Sequence, residues 1–133
     1  MPAVKALDHL VLTVSTIEAT LAFYIAVLGM RHQPFQAADG TARHALCFGE
    51  QKINLHQRGA EFEPKAKAPH PGSADLCFLT DVPLGLWIEH LSARNVPVEQ
   101  GPVARTGATG PLMSLYVRDP DGNLIEISTA QRA

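Results

Sequence analysis

The chain has 133 residues and a formal net charge of −2. A chain this long buries roughly two-thirds of its unfolded surface, so it folds without needing a disulfide or a structural metal. Near-neutral charge gives no electrostatic reason to expect nucleic acid or an anionic membrane as partner, and no apolar run approaches the ~20 residues of a membrane helix.

Asp8 and His9 interrupt the apolar residues near the start, so no signal peptide is expected there. Leu7 to Val14 is β-rich and predicts a strand. Ser15 or Thr16 offers an N-cap, and Glu18 suits a first helical turn. Ile17, Leu21, Tyr24, Ile25 and Leu28 fall at helical spacing, and Gly29 follows as a terminator. Met30 to Ala38 is a weaker strand, closed by the hairpin turn Asp39-Gly40. Arg43 to Phe48 and Lys52 to His56 are two more strands around a Gly49 turn. Cys47 here and Cys77 later sit in apolar runs without metal-knuckle spacing; they are expected to be reduced core residues of a cytoplasmic protein.

The stretch 59–72 is rich in proline and charge and predicts a linker. Ala74 to Thr80 resumes a strand. Asp81 is expected to cap a helix with Pro83 in its first turn, its apolar face formed by Leu84, Trp87, Ile88 and Leu91. Asn95 is the terminator. Val96 begins another extended segment, and Arg105 to Pro111 predicts a glycine-rich loop. The last strands, Leu112 to Val117 and Leu124 to Ser128, flank the turn Pro120-Asp121-Gly122-Asn123.

Both halves therefore read β-α-β-β-β, as modules of about 5–58 and 73–130. A shift of 66 positions sets His9 on Asp75, Leu10 on Leu76, Ile25 on Leu91 and Gly29 on Asn95. Such self-similarity implies two copies of one unit. Strand side chains alternate between faces. If Leu10, Leu12, Ile53, Leu55, Leu76, Ile125 and Ile127 pack inward, the opposite face collects His9, Asn54, His56, Asp75 and Glu126. Tyr116 and Arg118 share a face with Ser114. Each of these residues also has a plainer role: a hydrogen-bonded strand residue for His9, Asn54 and His56, a solvated acid for Asp75 and Glu126, and an ion pair with Asp119 or Asp121 for Arg118.

The paired units, the Asp8-His9-Leu10-Val11-Leu12 opening, Phe23-Tyr24 before Leu28-Gly29-Met30, and Asp119-Pro120-Asp121-Gly122 before Ile125-Glu126 resemble the vicinal oxygen chelate superfamily. That group includes glyoxalase I, fosfomycin-resistance enzymes, extradiol dioxygenases and bleomycin-binding proteins. Leu46 to His56, Glu61 to Lys65 and Gly101 to Gly107 look closest to its glyoxalase domain-containing protein 5 group. The resemblance implies an α+β fold with two βαβββ modules forming curved mixed sheets, as one domain over 1–133. It also implies a divalent metal held by the first and last strand of each module. The matching positions are His9, Asn54, Asp75 and Glu126. Glyoxalases usually have His where Asp75 stands and Glu or Gln where Asn54 stands, and His56 is the alternative ligand on the same strand face.

Nickel, manganese, magnesium, iron and zinc are the candidate metals, and the oxygen-rich donor set suits the first four better than structural zinc. The implied activity is a metal-dependent lyase or isomerase reaction on a small substrate with adjacent oxygens, with Glu126 moving the proton. A glutathione hemithioacetal is the substrate that the resemblance suggests. Tyr116 and Arg118 are candidate contacts for an anionic or planar substrate. An extradiol-type dioxygenase and a non-catalytic drug-binding protein are the alternatives. A homodimer is expected from the resemblance.

Overall fold

The computed structural model describes residues 1–131. The chain divides into two compact units, the first ending at Pro71 and the second beginning at Gly72. The first unit contains β1 (His9–Val14), α1 (Ile17–Ala26), β2 (Arg31–Gln36), β3 (Ala42–Phe48) and β4 (Gln51–Gln57). Its sheet has the order β1-β4-β3-β2. The second contains β5 (Asp75–Leu79), α2 (Leu84–Ala93), β6 (Gln100–Thr106), β7 (Pro111–Arg118) and β8 (Leu124–Ala130), in the order β5-β8-β7-β6. In each unit the first and last strands pair in parallel and the remaining pairs are antiparallel. Two four-stranded mixed sheets with one helix each make an α+β fold of two repeated modules.

Alternation sets the core of each unit. Val14, Leu46, Ile53 and Leu55 are buried in the first, where α1 packs on β2, β3 and β4 and seals Tyr24. Leu91, Leu115, Val117, Ile125 and Ile127 are buried in the second. Each such side chain removed from water contributes about 1.5–3 kcal/mol.

The helices end as the repeat implies. Gly29 has φ +73°, and Asn95 at the equivalent place has φ +58°, the one positive φ of a non-glycine among the described residues. Their starts differ from expectation. Thr16 stands at the N-cap of α1 without a side-chain cap bond, its carbonyl accepting from the Thr20 hydroxyl at 3.0 Å. Asp81 caps nothing: α2 begins after Pro83, which is itself the N-cap, while Thr80 Oγ1 accepts from Val82 N–H and from the Trp87 indole. Ile25 and Ile88 lie on the exposed side of their helices, and Thr20 takes a buried place on α1 instead.

Two further expectations are corrected. The glycine-rich loop is shorter, because Arg105 and Thr106 pair with Leu112 and Pro111 as the end of β6. The cysteines are free but outside the core: Cys47 is half-buried and Cys77 exposed. Their neighbours Leu46, Leu76 and Phe78 take the opposite strand face.

The turn between β7 and β8 is held by Asp119, which is buried. Its Oδ1 accepts from the backbone N–H of Asp121 and of Asn123 at 2.9 Å each, and its Oδ2 from the Asn123 amide at 2.8 Å. Asn123 Oδ1 accepts in turn from Ala74 N–H at 2.8 Å, tying the turn to the start of β5. Only Gly122 needs positive φ here, at +87°; Asn123 serves through its side chain.

Candidate functional site

In the first unit the face away from the apolar set is ordered in rows across the sheet. His9, Lys52, Cys47 and Arg31 form one row, Val11, Asn54, Ala45 and Gln33 the next, and Thr13 pairs with His56 beyond them. His9 Nδ1 is 2.8 Å from Asp8 Oδ2. A carboxylate on one ring nitrogen fixes the ring and leaves Nε2 to bind something else. Asn54 Oδ1 is buried and, among the described residues, has no hydrogen-bond donor. A buried acceptor with no partner costs free energy until something occupies it.

Lys52 lies 4.4 Å from the centre of the Phe35 ring, placing a cation in the row of His9. His56 is buried and meets the edge of Phe62, whose face carries the Arg43 guanidinium at 3.7 Å. Burial, then the Arg43 charge, lowers the His56 pKa and keeps its imidazole neutral.

In the second unit Asp75 pairs with Leu124 and Cys77 with Glu126, while Tyr116 stands across from Glu126 on β7. Ser114 Oγ donates to Glu126 Oε2 at 2.6 Å and is 2.7 Å from Ser128 Oγ, which reaches the same oxygen at 3.3 Å. Partial desolvation pushes the Cys77 thiol up, the Ser128 hydrogen bond opposes this, and the Glu126 charge adds to it. Such a shift disfavours the thiolate form.

Arg118 pairs neither with Asp119 nor with Asp121. Its Nε and Nη2 donate to the two oxygens of Glu99 at 3.0 Å each, and Nη1 donates to the Gly122 carbonyl at 3.1 Å. Arg105, expected in a loop, instead donates from Nε to the Tyr116 hydroxyl at 2.8 Å.

The two units present their candidates in the same register. The partner of His9 on the last strand of its sheet is Lys52, two residues before Asn54. The partner of Asp75 is Leu124, two residues before Glu126. Among the described residues no three His, Cys, Asp or Glu side chains form a group that could hold a metal ion; each unit offers a pair. In donor chemistry the pairs suit a divalent cation: an oriented imidazole, an unsatisfied amide oxygen and two carboxylates.

Strand alternation alone predicts the faces that His9, Asn54 and His56, and Asp75, Tyr116, Arg118 and Glu126, occupy in their sheets. Ser114 and Ser128 share that alternation, but their grip on Glu126 depends on the β7–β8 register. Arg105 and Phe62 were hidden, one in an apparent loop and one in the linker.

The model of the Glyoxalase/Bleomycin resistance protein/Dioxygenase superfamily matches residues 6–127. The chain belongs to this superfamily. Among its superfamily relatives it is 54% identical over 125 residues to virulence protein STM3117 of Salmonella typhimurium, covering 94% of this chain and 84% of that protein. It is 52% identical over 131 residues to the glyoxalase domain-containing protein RDO1 of Mycosarcoma maydis, covering 98% and 72%. An integron cassette protein of V. cholerae superposes with a TM-score of 0.92 at 54% identity, covering 98% and 99% of the two chains. The fold alone is shared with a lactoylglutathione lyase of Agrobacterium tumefaciens (TM-score 0.68, 24% identity, 96% and 95% covered). The same holds for TnmS3, an antibiotic-binding protein of Streptomyces sp. CB03234 (TM-score 0.74, 22% identity, 98% and 100% covered).

Proposed function

We propose that this chain is a glyoxalase-like, metal-dependent lyase or isomerase acting on a small substrate with two adjacent oxygens. The observation that carries the reading is the unpartnered buried Oδ1 of Asn54, one strand away from the oriented imidazole of His9. Asp75 and Glu126 repeat that register in the second unit. His9, Asn54, Asp75 and Glu126 are the residues that would hold a divalent metal. His56, turned to Phe62, is the alternate.

When bound, such a metal supplies Lewis-acid stabilisation of oxyanionic charge. The remaining chemistry belongs to the chain. Glu126 moves the proton: Ser114 holds Oε2, with the Ser128 hydroxyl beside both, which leaves Oε1 for the metal or the substrate. Tyr116, directly across from Glu126 on β7, adds a polar group beside it.

Assay of the purified protein with a hemithioacetal of methylglyoxal and glutathione, across nickel, manganese, magnesium, iron and zinc, tests the reading. Turnover that depends on metal and is lost in Glu126→Gln is expected. No turnover with any metal, together with no metal-dependent change in stability, contradicts it.

A second reading, a non-catalytic small-molecule binder, is favoured by one observation. Phe35 with Lys52, and Phe62 with Arg43, give the first unit two aromatic–cation pairs able to stack a planar ligand. Stabilisation by a planar drug without any response to metal would select it.

A further inference from the structure

On the β6–β7 face of the second unit, Arg105 is a cation with donors to spare. Arg105 uses Nε on the Tyr116 hydroxyl at 2.8 Å and Nη1 on the Ala104 carbonyl at 3.0 Å. A guanidinium has five N–H donors, so three remain. Among the described residues no carboxylate lies within ion-pair distance of it, whereas Arg118 is spent on Glu99 and the Gly122 carbonyl. Arg105 is half-buried and lies on the same sheet face as Leu112, Ser114, Tyr116 and Glu126.

The Tyr116 hydroxyl is part of the same feature. It accepts from Arg105, so its own hydrogen is free to be donated onward. A guanidinium edge beside a phenolic O–H presents chiefly donors and positive charge to whatever enters. Tyr116 is directly across from Glu126, whose Oε2 is already held by Ser114.

We propose that Arg105 and Tyr116 form an anion subsite next to Glu126, and that the substrate carries a carboxylate or a similar small oxyanion bound there. The inference rests on the proposed site at Glu126 and names the substrate class for it: a small molecule with adjacent oxygens and one negative charge. Arg105 is the specificity-determining residue and Tyr116 its second donor. Arg118, which the sequence favours for this role, is held by Glu99.

The test uses chelator-treated full-length protein labelled with nitrogen-15, titrated with glycolate and, separately, with ethylene glycol. Both carry two adjacent oxygens, and only glycolate is charged. Glycolate is expected to shift the Arg105 Nε–H resonance and neighbouring β6 and β7 amides in a saturable way, while ethylene glycol leaves them in place. Arg105→Gln should weaken glycolate at least about tenfold, as expected for loss of charged hydrogen bonds. Tyr116→Phe, which leaves β6 untouched, should weaken it less, and Arg118→Gln should bind as the wild type does.

Glycolate binding that survives Arg105→Gln and Tyr116→Phe unchanged, or equal shifts with ethylene glycol, would overturn the subsite. The metal-free condition separates the two proposals. Glycolate binding without metal affinity removes the metal reading and keeps the subsite. Metal affinity without glycolate binding does the reverse.

Discussion

Ser114 Oγ donates to Glu126 Oε2 across the β7–β8 pair at 2.6 Å, and Ser114 is fully buried. Under the proposed function, this short bond from a buried hydroxyl holds Oε2 and leaves Oε1 for the reaction. Ser114→Ala is therefore expected to lower kcat by about tenfold or more, the cost typical of losing a supporting hydrogen bond behind a reactive group, with little change in KM. Ser128→Ala, which loses a longer bond to the same oxygen, should cost less. Steady-state kinetics of the two variants check the order.

Asn54 makes a prediction that needs no activity. Its buried, unpartnered Oδ1 costs stability in metal-free protein. Asn54→Leu is expected to stabilise the chelator-treated protein by about 1–2 kcal/mol, since removing an unsatisfied buried acceptor recovers its desolvation cost. The same variant should lose most of the stabilisation that added metal gives the wild type. Urea denaturation with and without manganese measures both effects.

Asp119 is a test of the fold beneath the site. Its carboxylate takes three donors and, through Asn123, anchors the start of β5. Asp119→Ala leaves buried N–H groups without an acceptor and is expected to destabilise by about 3 kcal/mol. A clear drop in the urea midpoint checks this; a change within error would mean that the turn holds without the carboxylate.

The Glu99–Arg118 pair sets a pH expectation. The Arg118 hydrogen bonds, and then its charge, hold the Glu99 carboxyl below its ordinary 4.5. A carboxylate depressed in the folded state stabilises above its unfolded pKa, and the contribution is lost as pH falls through the folded value. Both side chains are about half exposed, so the effect is small and salt-screened. Glu99→Gln is expected to lower Tm slightly at pH 7, and the difference should vanish in acid or at 1 M salt. Thermal melts over pH 2.5–7 decide it.

Much of this architecture is written in local sequence. Gly29 and Asn95 announce two helix ends because few other residues accept positive φ, and both adopt it. Alternating isoleucines around Glu126 state its face, because a strand has only two. What the sequence hides is non-local. That Thr80 rather than Asp81 organises the start of α2 depends on where the Trp87 indole lands. That Arg105 belongs to a strand depends on its pairing with Leu112, which overrides the glycines that follow. Arg118 was legible as an exposed cation near acids, but its partner Glu99 is 19 residues away in sequence and no spacing rule points to it.

The proposal that His9 of the first unit and Glu126 of the second both serve as metal ligands is the one on which the rest depends. Isothermal titration of chelator-treated protein with manganese and with nickel tests it most directly, using wild type, His9→Ala, Glu126→Gln and, as a control outside the set, Arg118→Gln. The account requires one divalent ion per chain in the wild type and the control. Each ligand variant should bind at least about a hundredfold more weakly, since loss even of an outer-shell partner costs 10–100-fold. A wild type that takes up neither metal, or ligand variants that bind as the wild type does, would contradict it.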